Sequence, residues 1–338
     1  MKYRESMDLT KEYKSNYIKG IEQIIKERQK QAEIVRKESM KDIFENQEKY
    51  RNEFKKMLGW PLSEHKSDGL PGVVSEKLSE EDGYSIYRMQ FEILKGLTMT
   101  GLFFKEGGEE PKPLVIVQHG GEGTPELISG VYGNTYNYND MLQRVRKNGV
   151  HVFAPQLLLW NENYNVDFDR KAIDAELKRV GSSITAVEIY GITRILDYFE
   201  AQKYVSVFGM VGLSYGGFYT LYTAAVDTRI KAAISCSFFN KRDIITWSDW
   251  TWYKSAEKFD DAEVACLVYP RKLYIEMGNQ DELFDYVYSE ESFERLKEIC
   301  CDFGMEWAEL IVFNGVHEFC KDDEPIRHII KILKNLGI

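Results

Sequence analysis

The sequence predicts an α/β protein: a mostly parallel sheet with helices on both faces. Three observations carry this. From Pro113 onward, short continuous apolar runs alternate with amphipathic helical stretches, the pattern of strands buried on both faces. Four of those runs end in reactive or glycine-rich residues, where sheets of this kind place their sites. The chain has 338 residues and is 43% hydrophobic, enough for one large domain or a domain plus an extension.

In chain order, residues ~8–58 read as helix. Ile18, Ile21 and Ile25 share one face, followed by Ile34/Val35, Ile43/Phe44 and Phe54/Met57/Leu58, with Lys, Glu, Arg and Gln between. The stretch is too long for one uncapped globular helix and should break into at least two pieces. Gly59-Trp60-Pro61 ends it. The reading is an N-terminal helical extension over 1–62 and a main α/β domain over 63–338, with a polar connector from Ser63 to Gly72 that includes His65. Tyr84–Ile93 and Leu97–Phe104, joined at Lys95-Gly96, should form an antiparallel pair. The expected strands that follow are Leu114–Gln118, Val150–Ala154, Val205–Leu213, Ile230–Cys236, Lys272–Met277 and Glu309–Phe313. Helices are expected at Asn139–Lys147, Thr185–Glu200, Phe218–Val226, Glu290–Cys301 and Pro325–Leu336. Two long connections, at about 156–183 and 237–265, read as cap-like inserts.

Composition excludes several classes. The net charge is -10; residues 1–60 carry +4 and the remainder -14. An acidic body argues against nucleic-acid binding. No apolar run approaches the ~18 residues of a membrane span, and the N-terminus lacks the apolar segment of a secretory signal. Cys236, Cys266, Cys300, Cys301 and Cys320 have the odd count and scattered spacing of reduced thiols. These features predict a cytoplasmic protein. No metal-ligand spacing is present and no cofactor is expected. The N-terminal helices could mediate a homo-oligomer or cover one edge of the sheet.

The chemistry converges on one motif. Gly212-Leu213-Ser214-Tyr215-Gly216-Gly217 follows the Val205 strand and precedes a helical stretch. Strand, sharp turn and helix are the context a nucleophile elbow requires, with Ser214 strained and its hydroxyl exposed. A plain glycine-rich turn is the alternative for the motif taken alone. A serine hydroxyl is a weak nucleophile and needs a base. His317, after the last strand, can take its proton and return it to the leaving group. Asp281, after the Lys272 strand, would fix the imidazole tautomer; Glu282, Asp285 and Asp243 are the competing carboxylates. The N–H groups of Tyr215 and of Gly121, in the turn His119-Gly120-Gly121, can hold an oxyanion. His119, His151 and His328 read as structural. Trp160, Trp247, Trp250 and Trp252 lie in the two inserts with Asn161, Asn163 and Tyr164; they either wall a substrate pocket or pack the cap. Arg170 or Arg179 could meet an anionic substrate, though pairing with carboxylates is the plainer reading.

His119-Gly120-Gly121, Gly212–Gly217, Tyr269-Pro270-Arg271-Lys272 with Gly278-Asn279-Gln280-Asp281, and Gly315-Val316-His317 resemble the α/β-hydrolase superfamily, whose triad also runs Ser, Asp, His along the chain. Within it the chain is similar to the dienelactone-hydrolase and acetyl-xylan-esterase-like branch, with prolyl-oligopeptidase catalytic domains as neighbours. The leader ending Phe54-Lys55-Lys56-Met57-Leu58-Gly59-Trp60-Pro61-Leu62 resembles that of the acetyl-xylan-esterase-like group. Two features depart from the branch: Pro155-Gln156 stands where Pro-Asp is common, and the secretion signal of polymer-degrading relatives is not seen. The resemblance implies an α/β-hydrolase fold and a serine esterase using a covalent acyl-enzyme, acting on small esters or acetylated oligosaccharides rather than extracellular xylan. A peptidase of the prolyl-oligopeptidase type is the alternative, although about 110 residues before the first parallel strand are too few for a propeller. A catalytically silent binding protein on the same fold is the third reading.

Overall fold

The computed structural model describes residues 1–60, 69–161 and 166–337. Pro61, the boundary at 62/63, His65, Asn163 and Tyr164 lie outside the described residues. The N-terminal stretch breaks as expected, into α1 (Met7–Ser39) and α2 (Gln47–Leu58). Ser6 caps α1 by accepting from the Asp8 N–H, and Gly59 closes α2 in the left-handed conformation (φ 76°). The body follows as β1 (Gly72–Glu81), β2 (Tyr84–Leu94), β3 (Leu97–Glu106), β4 (Lys112–Gln118), α3 (Pro125–Ser129), α4 (Met141–Arg146) and β5 (His151–Pro155). Then come α5 (Arg170–Arg179), α6 (Ile184–Glu200), β6 (Val205–Leu213), α7 (Tyr215–Val226) and β7 (Ile230–Cys236). The chain ends with α8 (Ser255–Lys258), α9 (Asp261–Cys266), β8 (Lys272–Gly278), α10 (Tyr286–Ile299), β9 (Ala308–Phe313) and α11 (Glu324–Leu336).

The nine strands form one sheet in the order β1-β2-β3-β5-β4-β6-β7-β8-β9. β1, β2 and β3 are antiparallel, β3 joins β5 antiparallel, and β5, β4 and β6 through β9 run parallel. This is the α/β-hydrolase architecture: a mostly parallel sheet led by an antiparallel hairpin. One face is covered by α2, α6, α7, α9 and α10, the other by α3, α4 and α11. The inner parallel strands are buried on both faces, which is why β4 and β5 read as unbroken apolar runs, while β9 at the edge is only partly covered. Because they run the same way, the residues following β4, β6, β8 and β9 emerge at one rim.

β1 was not anticipated. It is an edge strand, mostly exposed, whose Glu76, Lys77, Glu80 and Glu81 keep its open side charged. Only its pairing with β2 reveals it. α5 was also missed, inside the first insert; Asp169 caps it, accepting from the N–H groups of Lys171 and Ala172.

α2 belongs to the main core: Tyr50, Phe54 and Leu58 are buried in it beside Tyr222 and Phe259. α1 behaves differently. Ile18, Ile21, Ile24 and Ile25 are exposed, while Gln23, Lys26, Lys30, Glu33 and Lys37 line a charged cavity of about 950 Å³ shared with Glu290, Glu291, Glu294 and Glu298. The helix therefore lines this charged cavity with polar residues and leaves its isoleucines exposed. Among the described residues no helix is long and apolar enough to cross a membrane.

One core position predicts a pH effect. Glu276 on β8 is 1% exposed, beside Cys236 in the sheet register, and among the described residues neither carboxylate oxygen has a hydrogen-bond partner. Burial pushes its carboxyl up to about 8 from the ordinary 4.5. The folded state therefore holds this proton where the unfolded chain has lost it. The resulting stability is complete below the unfolded value of 4.5 and is lost as pH rises towards 8. Its slope is at most about 1.4 kcal/mol per pH unit. Asp261, pushed up by burial to about 7, contributes in the same direction. Glu276→Gln should flatten the dependence of the urea midpoint on pH across this window and raise the midpoint at pH 8. Parallel curves for the two proteins would assign Glu276 no role.

Candidate active site

Ser214 sits between β6 and α7 at φ 61°, ψ −122°, a conformation that costs a non-glycine residue roughly 1–3 kcal/mol. The turn is held by the sheet, since the Ser214 N–H donates to the Cys236 carbonyl at 2.9 Å. Its flanking glycines are steric requirements: a Cβ on Gly212 would lie 2.2 Å from the Gly216 carbonyl oxygen, and one on Gly216 would lie 2.1 Å from that of Gln118. Ser214 is partly exposed, and α7 directs its N-terminus at the same spot.

His317 and Asp281 meet at this rim. His317 Nδ1 donates to Asp281 Oδ2 at 2.8 Å. The other carboxylate oxygen, Oδ1, accepts from the N–H groups of Leu283 (2.8 Å) and Phe284 (3.0 Å). The Asp281 side chain is fully buried and His317 retains 18% exposure. Their two loops are stitched together: the Gln280 N–H donates to the Gly315 carbonyl at 2.8 Å and Gln280 Nε2 to Asn314 Oδ1 at 2.8 Å. The competing carboxylates lie elsewhere. Asp285 caps α10, Glu282 is exposed, and Asp243 lies in the short 3₁₀ helix after β7. Ser214 Oγ has no hydrogen-bond partner among the described residues, so the resting site holds the His–Asp pair assembled and the hydroxyl uncommitted.

Two backbone donors are available near the hydroxyl. Among the described residues the N–H groups of Gly121 and Tyr215 have no acceptor, whereas that of Gly120 is used by Tyr138 Oη at 2.9 Å. A Cβ on Gly120 would lie 2.9 Å from Ser214 Cβ, and one on Gly121 would lie 2.8 Å from Trp160. His119 anchors this turn: Nδ1–H donates to the Gly120 carbonyl (2.8 Å) and Nε2 accepts from the Leu157 N–H (3.0 Å). Burial pulls it down to about 4, so it stays neutral. His151, also pulled down to about 4 by burial, bonds the Glu106 N–H and the Tyr204 carbonyl; His328 bonds Tyr274.

A pocket of about 510 Å³ opens beside Tyr215, lined by Trp160, Phe168, Lys171, Trp247 and Asp249 among others. Trp160 stands edge-on to the Tyr215 ring and Trp247 lies parallel to it. Trp250 and Trp252 correct the pocket expectation: they are 1% and 8% exposed and do not line it. They pack, with Phe218, Tyr222 and Phe238, around the Arg242 guanidinium at 5.4–5.8 Å. Arg170, expected at a surface, is buried between Glu188 and Asp249, while Arg179 is exposed and paired with Glu176. Sequence reasoning missed Phe168, Lys171 and Asp249, which have no motif. Among the described residues no group of three or more His, Cys, Asp or Glu could hold a metal ion.

The model of the dienelactone hydrolase family matches residues 126–328. The chain belongs to the dienelactone hydrolase family. This family member is 29% identical over 191 residues to "Putative hydrolase YtaP" of Bacillus subtilis (strain 168), covering 52% of this chain and 62% of that one, so the match spans less than two thirds of the relative's length. Among solved structures it is similar to a "putative acetyl xylan esterase" of Bacteroides fragilis (TM-score 0.65, 15% identity, covering 79% of this chain and 74% of that one). It is also similar to a glucuronoyl esterase of Solibacter usitatus (TM-score 0.60, 13% identity, covering 85% and 92%). At such identities the structural likeness shows the α/β-hydrolase fold.

Proposed function

We propose that this dienelactone hydrolase family member is a serine carboxylic-ester hydrolase that works through a covalent acyl-enzyme, on acetylated small sugars or oligosaccharides. The observation that carries the reading is the 2.8 Å Asp281–His317 bond at the rim that also presents Ser214 at φ 61°. Ser214 Oγ attacks the ester carbonyl as His317 Nε2 takes its proton. The tetrahedral oxyanion rests on the N–H groups of Tyr215 and Gly121. His317 returns the proton to the departing alcohol, then activates the water that releases the acid and regenerates Ser214. Asp281 holds the imidazole with Nδ1 protonated throughout.

The alcohol side is supported by the pocket beside Tyr215. Trp160 and Trp247 offer aromatic faces of the kind that suit sugar rings, with Lys171 as a polar group. Neighbours named acetyl xylan and glucuronoyl esterases point to the same substrate class. Five free cysteines, four of them buried, suit a reducing compartment, and a cytoplasmic location is part of this reading.

A panel of p-nitrophenyl acetate, acetylated xylo-oligosaccharides, lactones and Pro-containing peptide amides tests the proposal. The esters should turn over and the amides should not. Trp247→Ala should raise KM for the acetylated sugar about tenfold with kcat within about twofold, because it removes binding shared by ground and transition states. Faster cleavage of amides than of every ester would replace the esterase reading with a peptidase.

A further inference from the structure

Tyr215 carries more than a backbone donor. Its phenol donates to Asp249 Oδ2 at 2.9 Å. The same oxygen accepts from Arg170 Nε at 2.9 Å. The Arg170 guanidinium continues to Glu188 through Nη1 (3.2 Å) and Nη2 (3.0 Å), and Nη2 also donates to Tyr219 Oη at 2.9 Å. Tyr219 in turn bonds Glu188. Arg170, Glu188 and Asp249 are 6%, 3% and 2% exposed. They come from four separate segments: α5, α6, the cap and, with the two tyrosines, α7. One guanidinium lies between two carboxyl groups, whose remaining hydrogen bonds come from the phenol donors and one backbone N–H.

That N–H belongs to Leu158, which donates to Glu188 Oε1 at 2.7 Å, while the Leu158 carbonyl accepts from Arg170 Nη1 at 2.7 Å. Leu158 is thus gripped at both ends. Its neighbours hold the other half of the oxyanion site: the Leu157 N–H donates to His119 Nε2, and the Glu122 N–H donates to the Trp160 carbonyl at 2.9 Å. The turn containing Gly121 lies between these two anchors. The two N–H donors, on turns after different strands, are therefore braced against one cluster.

We infer that Arg170, Glu188 and Asp249 form a buried positioning cluster that sets the spacing of the two oxyanion N–H groups, at Tyr215 through its phenol and at Gly121 through residues 157–161. The inference rests on the esterase reading and adds residues to it. Misplacing one donor weakens contacts made only in the transition state, so the cost falls on kcat. Removing Arg170 would bury unpaired carboxylates and endanger folding, so the informative changes are smaller.

Tyr215→Phe removes one hydroxyl and leaves the backbone donor; Asp249→Asn keeps the size of the side chain. Each should lower kcat for p-nitrophenyl acetate about tenfold or more with KM within about twofold. The double variant should be no slower than the slower single, since both cut the same link. Thermal melting is measured alongside. Unchanged kcat in both folded variants, a loss confined to KM, or additive losses in the double variant would overturn the cluster's role. Ser214→Ala in the same assay separates this failure from failure of the esterase reading: wild-type turnover abolished by Ser214→Ala but untouched by Tyr215→Phe and Asp249→Asn sinks the cluster alone.

Discussion

Replacing Ser214 by alanine should lower turnover of p-nitrophenyl acetate by about 10⁴-fold or more while leaving the fold intact. The size follows from the roles proposed for the site. With Oγ gone there is no acyl-enzyme, and His317 has no hydroxyl to deprotonate, so the pair loses its purpose together with the nucleophile. The fold should survive because the side chain makes no hydrogen bond among the described residues; the turn is fixed by the Ser214 N–H to the Cys236 carbonyl and by the close approach of Gly212 to Gly216. Alanine has the same difficulty as serine at φ 61°, so the backbone strain is unchanged. Residual hydrolysis from the two oxyanion donors and substrate binding is expected. Turnover within about tenfold of wild type would place the chemistry on another group.

Asp281→Asn should cost about 10³–10⁴-fold in kcat at neutral pH, and the surroundings say why. In the wild type Oδ1 accepts from the Leu283 and Phe284 N–H groups, and Oδ2 accepts from His317 Nδ1. Asparagine has one oxygen. The two backbone donors hold it in the Oδ1 position, which turns the NH₂ towards His317. Nδ1 must then accept, the proton moves to Nε2, and Nε2 can no longer take the serine proton. Asp281→Ala removes this wrong-way contact and should be no slower than Asp281→Asn. The assay is kcat against pH for both variants. An Asn variant with wild-type kcat would show that Asp281 does not set the tautomer.

The fold class was legible because β4 to β8 are largely buried on both faces and so leave near-continuous apolar runs, while α6 and α11 carry an apolar stripe. β1 left no such trace: most of its residues meet solvent, and its existence depends on β2 being alongside. The Asp281–His317 contact follows from positions at strand ends, because parallel strands bring their C-termini to one rim; Ser214 joins the pair on the same placement, as part of the proposal. The pocket was half readable. Trp160 and Trp247 line it, but Trp250 and Trp252, from the same aromatic segment, pack around Arg242, and nothing in the local spacing separates the two uses. Asp249 and Glu188 were invisible as site residues because they lie 79 and 18 positions from their partner Arg170; only folding makes them a cluster.

The central claim is that Ser214 is a nucleophile activated by an imidazole. Mass spectrometry of the protein after reaction with a fluorophosphonate probe tests it most directly. The account predicts one adduct, on the peptide carrying Ser214, formed far more slowly in the Asp281→Asn variant. An unlabelled wild-type protein that nevertheless hydrolyses p-nitrophenyl acetate, or an adduct on a different residue, would contradict it.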